Sequence, residues 1–408
     1  MSIAPETGTA RRALLLENIH DDAAFALRDA GYEVERMTVA LGEDDLIDKL
    51  RGVHLLGLRS NTQLTRRVLE QADALVAVGA FCIGTNQSDL QAATERGVAV
   101  FNAPFSNTRS VVELALSEII ALTRRLTDKS SDMHAGVWDK SAVGSHEVRG
   151  RRLGIVGYGN IGSQLSVVAE ALGMSVLFFD TSDKLALGNA RRCGTLEELL
   201  AEADVVTLHV DGRAGNSGLF GEEQFARMRP GSIFLNLSRG FVVDHLALRR
   251  HIESGHLAGA AVDVFPKEPK RPGEEFVSDL RGLRNVILTP HVGGSTEEAQ
   301  QDIGNFVAGK LRDYAAGGNT SLSVNLPQVS LPRVPGTTRL LLLHTNTPGV
   351  LARVNSILAD HGLNIEGQVL GTSGALGYVV TDVAALEGDE VVKVLGDLPE
   401  TVRLWALA

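Results

Sequence analysis

Three side chains in the second half of the 408-residue sequence have the chemistry that a hydride transfer coupled to a proton needs. Arg239 follows the apolar run 233–237 in Asn-Leu-Ser-Arg-Gly, Glu268 follows 260–265 in Asp-Val-Phe-Pro-Lys-Glu-Pro, and His291 follows 286–289 in Thr-Pro-His-Val-Gly-Gly. Oxidising a secondary alcohol against a nicotinamide requires one base for the hydroxyl proton, and histidine titrates in the right range. A carboxylate beside it stabilises the imidazolium. An arginine can clamp a substrate carboxylate with two parallel hydrogen bonds. Singly, each has an ordinary explanation as a surface charge or a structural histidine.

What joins them is upstream. Residues 153–156 are apolar and lead into Gly157-Tyr-Gly159-Asn160-Ile161-Gly162, after which a helix is expected over 163–172. Asp180 ends the next apolar run, 18 residues past Gly162. A strand, a G-x-G-x-x-G turn, a helix and then an acid form a dinucleotide-binding fingerprint. The diphosphate belongs at the helix N-terminus, where free N–H groups point at it. Asp180 would accept from the ribose hydroxyls and repel a 2′-phosphate, so NAD is expected rather than NADP.

The elements that position these residues are short apolar runs alternating with helical patterns. Runs at 13–16, 53–58, 75–78 and 98–101 read as buried parallel strands, with helices over 22–30 and 88–96 between them. Ser110 and Glu113 have capping-box spacing and are expected to open a long helix to about residue 126. Six further strands follow at 153–156, 176–179, 205–210, 233–237, 260–265 and 286–289, enough for a doubly wound sheet. A helix over 296–314 leads to a Gly- and Pro-containing connector, 315–336. The remainder has the order strand, helix, strand, strand, helix, strand of a ferredoxin-like unit.

Composition narrows the partners. With a net charge of -11 the molecule as a whole repels nucleic acid and anionic membranes. Two cysteines, Cys82 and Cys193, are too few for a disulfide framework or a zinc knuckle, so no metal is expected. Met1–Thr9 is small and polar, the run 13–16 is too short for a signal-peptide core, and no stretch reaches the ~18 apolar residues of a membrane helix. A cytoplasmic protein is expected.

The strings Gly-Tyr-Gly-Asn-Ile-Gly, Asn-Leu-Ser-Arg-Gly, Val-Asp-Val-Phe and Thr-Pro-His-Val-Gly-Gly-Ser resemble those of the D-isomer-specific 2-hydroxyacid dehydrogenases. The segments Gly57-Leu-Arg-Ser, Phe81-Cys-Ile-Gly-Thr-Asn-Gln and Phe101-Asn-Ala-Pro-Phe-Ser-Asn-Thr-Arg-Ser extend the likeness over essentially the whole chain. The resemblance implies a flavodoxin-like substrate domain made of residues 1–105 and 295–335, a Rossmann-type NAD domain over 106–294 and an ACT regulatory domain over 336–408. It implies oxidation of 3-phospho-D-glycerate, the first step of L-serine biosynthesis, by a homotetramer that serine inhibits. By motif match, Arg239 binds substrate, His291 carries the proton and Glu268 is its partner. Asn160, Ile161, Asp180, Leu237, Ser238, Asp263, Gly293 and Gly294 fall at NAD contacts, Asp263 on the carboxamide. Arg59, Ser60, Asn107 and Lys140 fall at substrate positions, with Lys140 able to come from another subunit.

Asn61 departs from the pattern, since the family often has a second arginine there. That leaves 2-hydroxyglutarate open as a further substrate. In the terminal domain His344, Asn346 and Asn364 match serine-binding positions, although asparagines also cap turns and helices. The alternative from another class is an NAD-sensing corepressor on the same fold, disfavoured by the acidic charge and the terminal sensor domain.

Overall fold

The computed structural model describes residues 11–269, 273–386 and 388–407, so the reading of Met1–Thr9 lies outside the described residues. The chain forms two compact units: the part up to Ser106 together with the part from Gln300 onward, and Asn107–Ala299. Among the described residues no helix is long and apolar enough to cross a membrane.

The first unit opens with five parallel strands, β1 (Arg11–Leu15), β2 (Tyr32–Arg36), β3 (Leu55–Leu58), β4 (Ala77–Ala80) and β5 (Ala99–Asn102). They lie in the order β2-β1-β3-β4-β5, the flavodoxin-like order. β3, β4 and β5 are buried along their whole length, which is why they read as unbroken apolar runs. β2, Tyr-Glu-Val-Glu-Arg, lies at one sheet edge and is partly exposed, so it alternates apolar and polar residues instead of forming such a run.

The second unit is a seven-stranded parallel sheet: β6 (Arg152–Val156), β7 (Ser175–Phe179), β8 (Arg191–Arg192), β9 (Val205–Leu208), β10 (Ser232–Asn236), β11 (Leu257–Val262) and β12 (Val286–Leu288). Its order, β12-β11-β10-β9-β6-β7-β8, is doubly wound with the switch point between β6 and β9. The six expected strands are all present, and the two-residue edge strand β8 is an addition. The capping box is not formed. The helix is Thr108–Thr123 with Asn107 as its cap, Ser110 lies inside it, and Glu113 pairs with Arg109 at 2.6 Å. Arg125, in the left-handed region at φ 52°, then separates a second helix, Leu126–His134.

The terminal part of the first unit is an antiparallel sheet of β13 (Thr337–Thr345), β14 (Ile365–Ser373), β15 (Leu376–Ala384) and β16 (Thr401–Leu407) in the order β14-β15-β13-β16. Helices Val350–Asp360 and Glu390–Gly396 cover one face. The other face is not free. Leu341, Leu343, Tyr378, Val380 and Trp405 share one core with Leu27, Phe101, Leu311 and Tyr314. The Arg403 guanidinium donates to the carbonyls of Leu75 and Arg96 at 2.9 and 3.3 Å. A buried Arg339–Asp382 pair at 2.6 Å also donates to the carbonyls of Gly317, Leu331 and Pro332. Gly318 carbonyl accepts from Tyr378 Oη at 2.8 Å. The connector at 317–318, where the Gly pair suggests freedom, is therefore pinned to the terminal sheet.

Candidate active site

The nucleotide crevice lies at the carboxyl ends of β6, β7 and β9. Helix Asn160–Ala171 starts from Gly159, which offers no side-chain cap, so its first N–H groups have no side-chain partner. A Cβ on Gly162 would come within 2.3 Å of the Gly157 carbonyl; only glycine lets the helix sit this close to the turn. A Cβ on Gly159 would meet nothing within 4 Å, which is the open side that a diphosphate needs. Asp180 accepts the N–H groups of Tyr158 and Ser182, both at 2.8 Å, and keeps lone pairs on both oxygens. A pocket of about 220 Å³ borders Gly157, Gly159, Asp180, His209 and Val210. These residues fit an adenosine diphosphate.

The three proposed catalytic residues come from the loops after β10, β11 and β12. His291 Nδ1 lies 2.9 Å from Glu268 Oε2, and Glu268 Oε1 accepts from the Phe265 N–H at 3.0 Å. The glutamate bond raises the His291 pKa above its ordinary value against the opposing effect of burial. Glu268 is burdened by burial, yet the hydrogen bonds from His291 and Phe265 bring it below the usual carboxylate value. Arg239 acts on both electrostatically, lowering each pKa. Its loop is held against the Glu268 loop because Gly240 has no Cβ: one would sit 2.0 Å from the Phe265 carbonyl carbon.

Asp263, 2% exposed, staples the histidine loop. It accepts Thr289 Oγ1 at 2.6 Å, the Val292 N–H at 2.8 Å and the Gly293 N–H at 2.9 Å. His291 itself sits at φ 55°, a left-handed conformation that a non-glycine residue holds only when its surroundings impose it. With three bonds in place, Asp263 has about one of its four acceptor directions left for a carboxamide. Ser238 Oγ donates to Asn236 Oδ1 at 2.8 Å, and Leu237 is buried beside it. Asn107 packs on the backbone at Gly294, where a Cβ would meet its Nδ2 at 2.3 Å. Sequence reading passed over Glu118, which shares the helix with Asn107's cap. It is 3% exposed, and among the described residues neither carboxyl oxygen has a partner. Burial and the Asp263 charge push its pKa up to about 8, so it is largely protonated at neutral pH. Its place in an otherwise apolar helix face was the available signal.

The remaining expected residues lie on other elements, each described within its own unit. Arg59 and Ser60 lie on the loop after β3 in the first unit, where the Asn61 side chain donates to Glu17 at 3.2 Å. Lys140 is exposed in the irregular stretch after Leu126–His134, with Nζ 5.6 Å from the Trp138 ring centroid. His344 is buried, with its Nδ1 2.8 Å from the Thr345 carbonyl and its Nε2 without a partner among the described residues. Asn346 follows β13 at the end that pairs with Leu376, whereas Asn364 precedes β14 at the end that pairs with Val383. Seven residues of strand separate these ends, about 23 Å at 3.3–3.4 Å per residue. One copy of the sheet cannot bring both asparagines to one amino acid. Among the described residues no cluster could hold a metal ion.

Residues 116–293 match the profile of the D-isomer specific 2-hydroxyacid dehydrogenase NAD-binding domain, and 340–403 that of an AHAS small subunit-like ACT domain. The chain is 50% identical over 395 residues to the D-3-phosphoglycerate dehydrogenase of Haemophilus influenzae, covering 97% of this chain and 96% of the relative. It is 49% identical over 393 residues to the D-3-phosphoglycerate dehydrogenase of Escherichia coli, covering 96% of each. Among solved structures, the D-lactate dehydrogenase of Aquifex aeolicus with NAD and lactic acid matches 74% of this chain and 95% of its own, at 25% identity and a TM-score of 0.64.

Proposed function

Because the chain belongs to the D-3-phosphoglycerate dehydrogenases, within the D-isomer-specific 2-hydroxyacid dehydrogenases, we propose that it oxidises 3-phospho-D-glycerate to 3-phosphohydroxypyruvate with NAD in the cytoplasm, opening L-serine biosynthesis. The observation that carries this reading is the His291–Glu268 pair, 2.9 Å apart, in the same parallel sheet as the glycine turn and Asp180.

NAD, which Gly157, Gly159 and Asp180 would hold, would supply the acceptor for the C2 hydride. His291 has Nδ1 committed to Glu268, which leaves Nε2 to take the C2 hydroxyl proton as the hydride departs. The imidazolium is stabilised by Glu268 and then gives its proton to solvent. Arg239 clamps the C1 carboxylate, and Arg59, on the first unit's loop, takes the distal phosphate. Asp180 accepts from the adenosine ribose hydroxyls. Ionised Glu268 and neutral His291 form the pair that oxidation needs.

A second substrate reading has its own support. Asn61 is turned toward Glu17, so the loop presents one guanidinium, which suits a distal carboxylate such as that of 2-hydroxyglutarate as well as a phosphate. Regulation follows the terminal domain: L-serine is bound between two ACT-like domains of different subunits in a homotetramer, Asn346 from one meeting Asn364 from the other. The separation of about 23 Å within one copy supports that arrangement. The test is NADH formation at 340 nm, roughly ten 2-hydroxy acids being compared with and without L-serine. Formation of NADH from none of them would favour the corepressor.

A further inference from the structure

We propose that Glu17 is the positioning residue of the substrate's distal anion site, holding the loop from Arg59 to Thr62 so that the Arg59 guanidinium is presented to the ligand and the Asn61 amide is withheld from it. The inference rests on the proposed role of Arg59.

Glu17 stands two residues beyond β1 and is 7% exposed. A carboxylate this deep normally has a cation, but among the described residues no ion pair involves Glu17. Its partners are all N–H groups of one loop. Oε1 accepts from the Arg59 N–H at 3.1 Å and the Thr62 N–H at 2.9 Å. Oε2 accepts from the Asn61 N–H at 3.0 Å and from Asn61 Nδ2 at 3.2 Å. The backbone that delivers this carboxylate is unusual, since Glu17 and Asn18 are both left-handed, at φ 58° and 54°. Two backbone bonds to the segment after β2 hold it there: Glu17 N–H donates to the Val39 carbonyl and Asn18 N–H to the Met37 carbonyl.

The other side of the loop is tied as well. Gln87 Nε2 donates to the Arg59 carbonyl at 2.8 Å. Arg59 thus has its N–H and its carbonyl both fixed by side chains, while its guanidinium makes no ion pair among the described residues. A guanidinium carried on a fixed backbone, with no ion-pair partner among the described residues, is arranged to meet an anion supplied by the ligand. A glutamine at position 17 would keep the size but turn an amide N–H toward the loop's own donors. The loop would loosen, and the arginine with it.

The experiment compares reduction of 3-phosphohydroxypyruvate with that of hydroxypyruvate, which lacks the phosphate, using NADH and the full-length protein. In Glu17→Gln the preference for the phosphorylated substrate, as a ratio of kcat/KM values, is expected to fall by roughly 10–100-fold. The loss should reside in KM, with NADH affinity unchanged. Asn61→Ala, at an exposed position, should reduce the same ratio by a few-fold. An equal loss on both substrates, or an unchanged ratio in folded Glu17→Gln, overturns the proposal. Should Glu17→Gln fail to fold, an unchanged ratio in Asn61→Ala overturns it. Arg59→Ala is the separate control: retained phosphate preference there refutes the role of Arg59 itself, whatever the Glu17 variant does.

Discussion

The Nδ1 atom of His291 lies 2.9 Å from Oε2 of Glu268, although 23 residues separate them in sequence. Each is carried by the loop after a neighbouring strand, β11 and β12, so their meeting follows from the pairing of those strands. The bond links their titrations. His291, raised, favours the folded state fully below its unfolded pKa and loses that contribution as pH rises through the folded value. Glu268, lowered, contributes above its unfolded pKa and loses it as pH falls through the folded value. The pair therefore stabilises the fold between those limits.

Glu268→Gln should lower the His291 pKa, because the hydrogen-bonded negative charge is its largest raising influence. Oxidation needs the neutral imidazole, so the acid limb of the kcat/KM profile should move to lower pH. In the reductive direction the alkaline limb should move the same way. An unmoved profile would count against the pairing.

His291→Ala should reduce turnover by about 10²–10⁴-fold, the usual worth of a positioned acid–base group. NADH affinity, measured by fluorescence titration, should change little, because the residues that fit the adenosine diphosphate lie around Gly159 and Asp180. Near wild-type turnover would refute the assignment.

Asp180→Ala should raise NADP use relative to NAD. The change removes a carboxylate from a pocket that also borders Lys184 and Arg213, so the charge facing a 2′-phosphate would become positive. The ratio of kcat/KM values for the two cofactors reads this directly. A wild type that already uses both equally would show that Asp180 does not discriminate.

Asn346→Ala and Asn364→Ala should each weaken serine inhibition by about 1 kcal/mol, roughly fivefold, and leave uninhibited catalysis intact. Their positions at opposite ends of the sheet predict complementation: mixed subunits carrying one variant each should regain some intact sites. Deleting 337–408 is a poorer test than the grammar of the sequence suggests. It would strip Leu341, Tyr378 and Trp405 from the core they share with Phe101 and Tyr314.

Arg339→Ala should destabilise the first unit by about 3–5 kcal/mol, the cost of leaving a buried charge without its partner. Asp382 is 0% exposed, and the carbonyls of Gly317, Leu331 and Pro332 would lose their donor too. Urea unfolding followed by circular dichroism measures it; a change under 1 kcal/mol would show that the pair is replaceable.

Sequence alone determined the parallel sheets, the cofactor turn and the strand-end positions of Arg239, Glu268 and His291. Central strands are buried on both faces and so must be written as apolar runs, and Gly162 must be glycine because a Cβ would strike the Gly157 carbonyl. Signals of that kind are local. Strand β2 escaped because it is partly exposed and its short alternation of apolar and polar residues is a weaker signal than an apolar run, and the helix cap fell at Asn107 rather than Ser110. Only the tertiary structure decided that Asp263 staples the histidine loop, that Glu118 is a buried acid without a partner among the described residues, and that Glu17 holds the Arg59 loop 42 residues away. It likewise decided that Arg339 and Arg403 bind the terminal sheet to the first unit's connector and loops. These depend on which polar groups meet after burial. An isolated Glu or Arg in a sequence has the same letter whether it ends in water, on a backbone N–H or against its counter-charge.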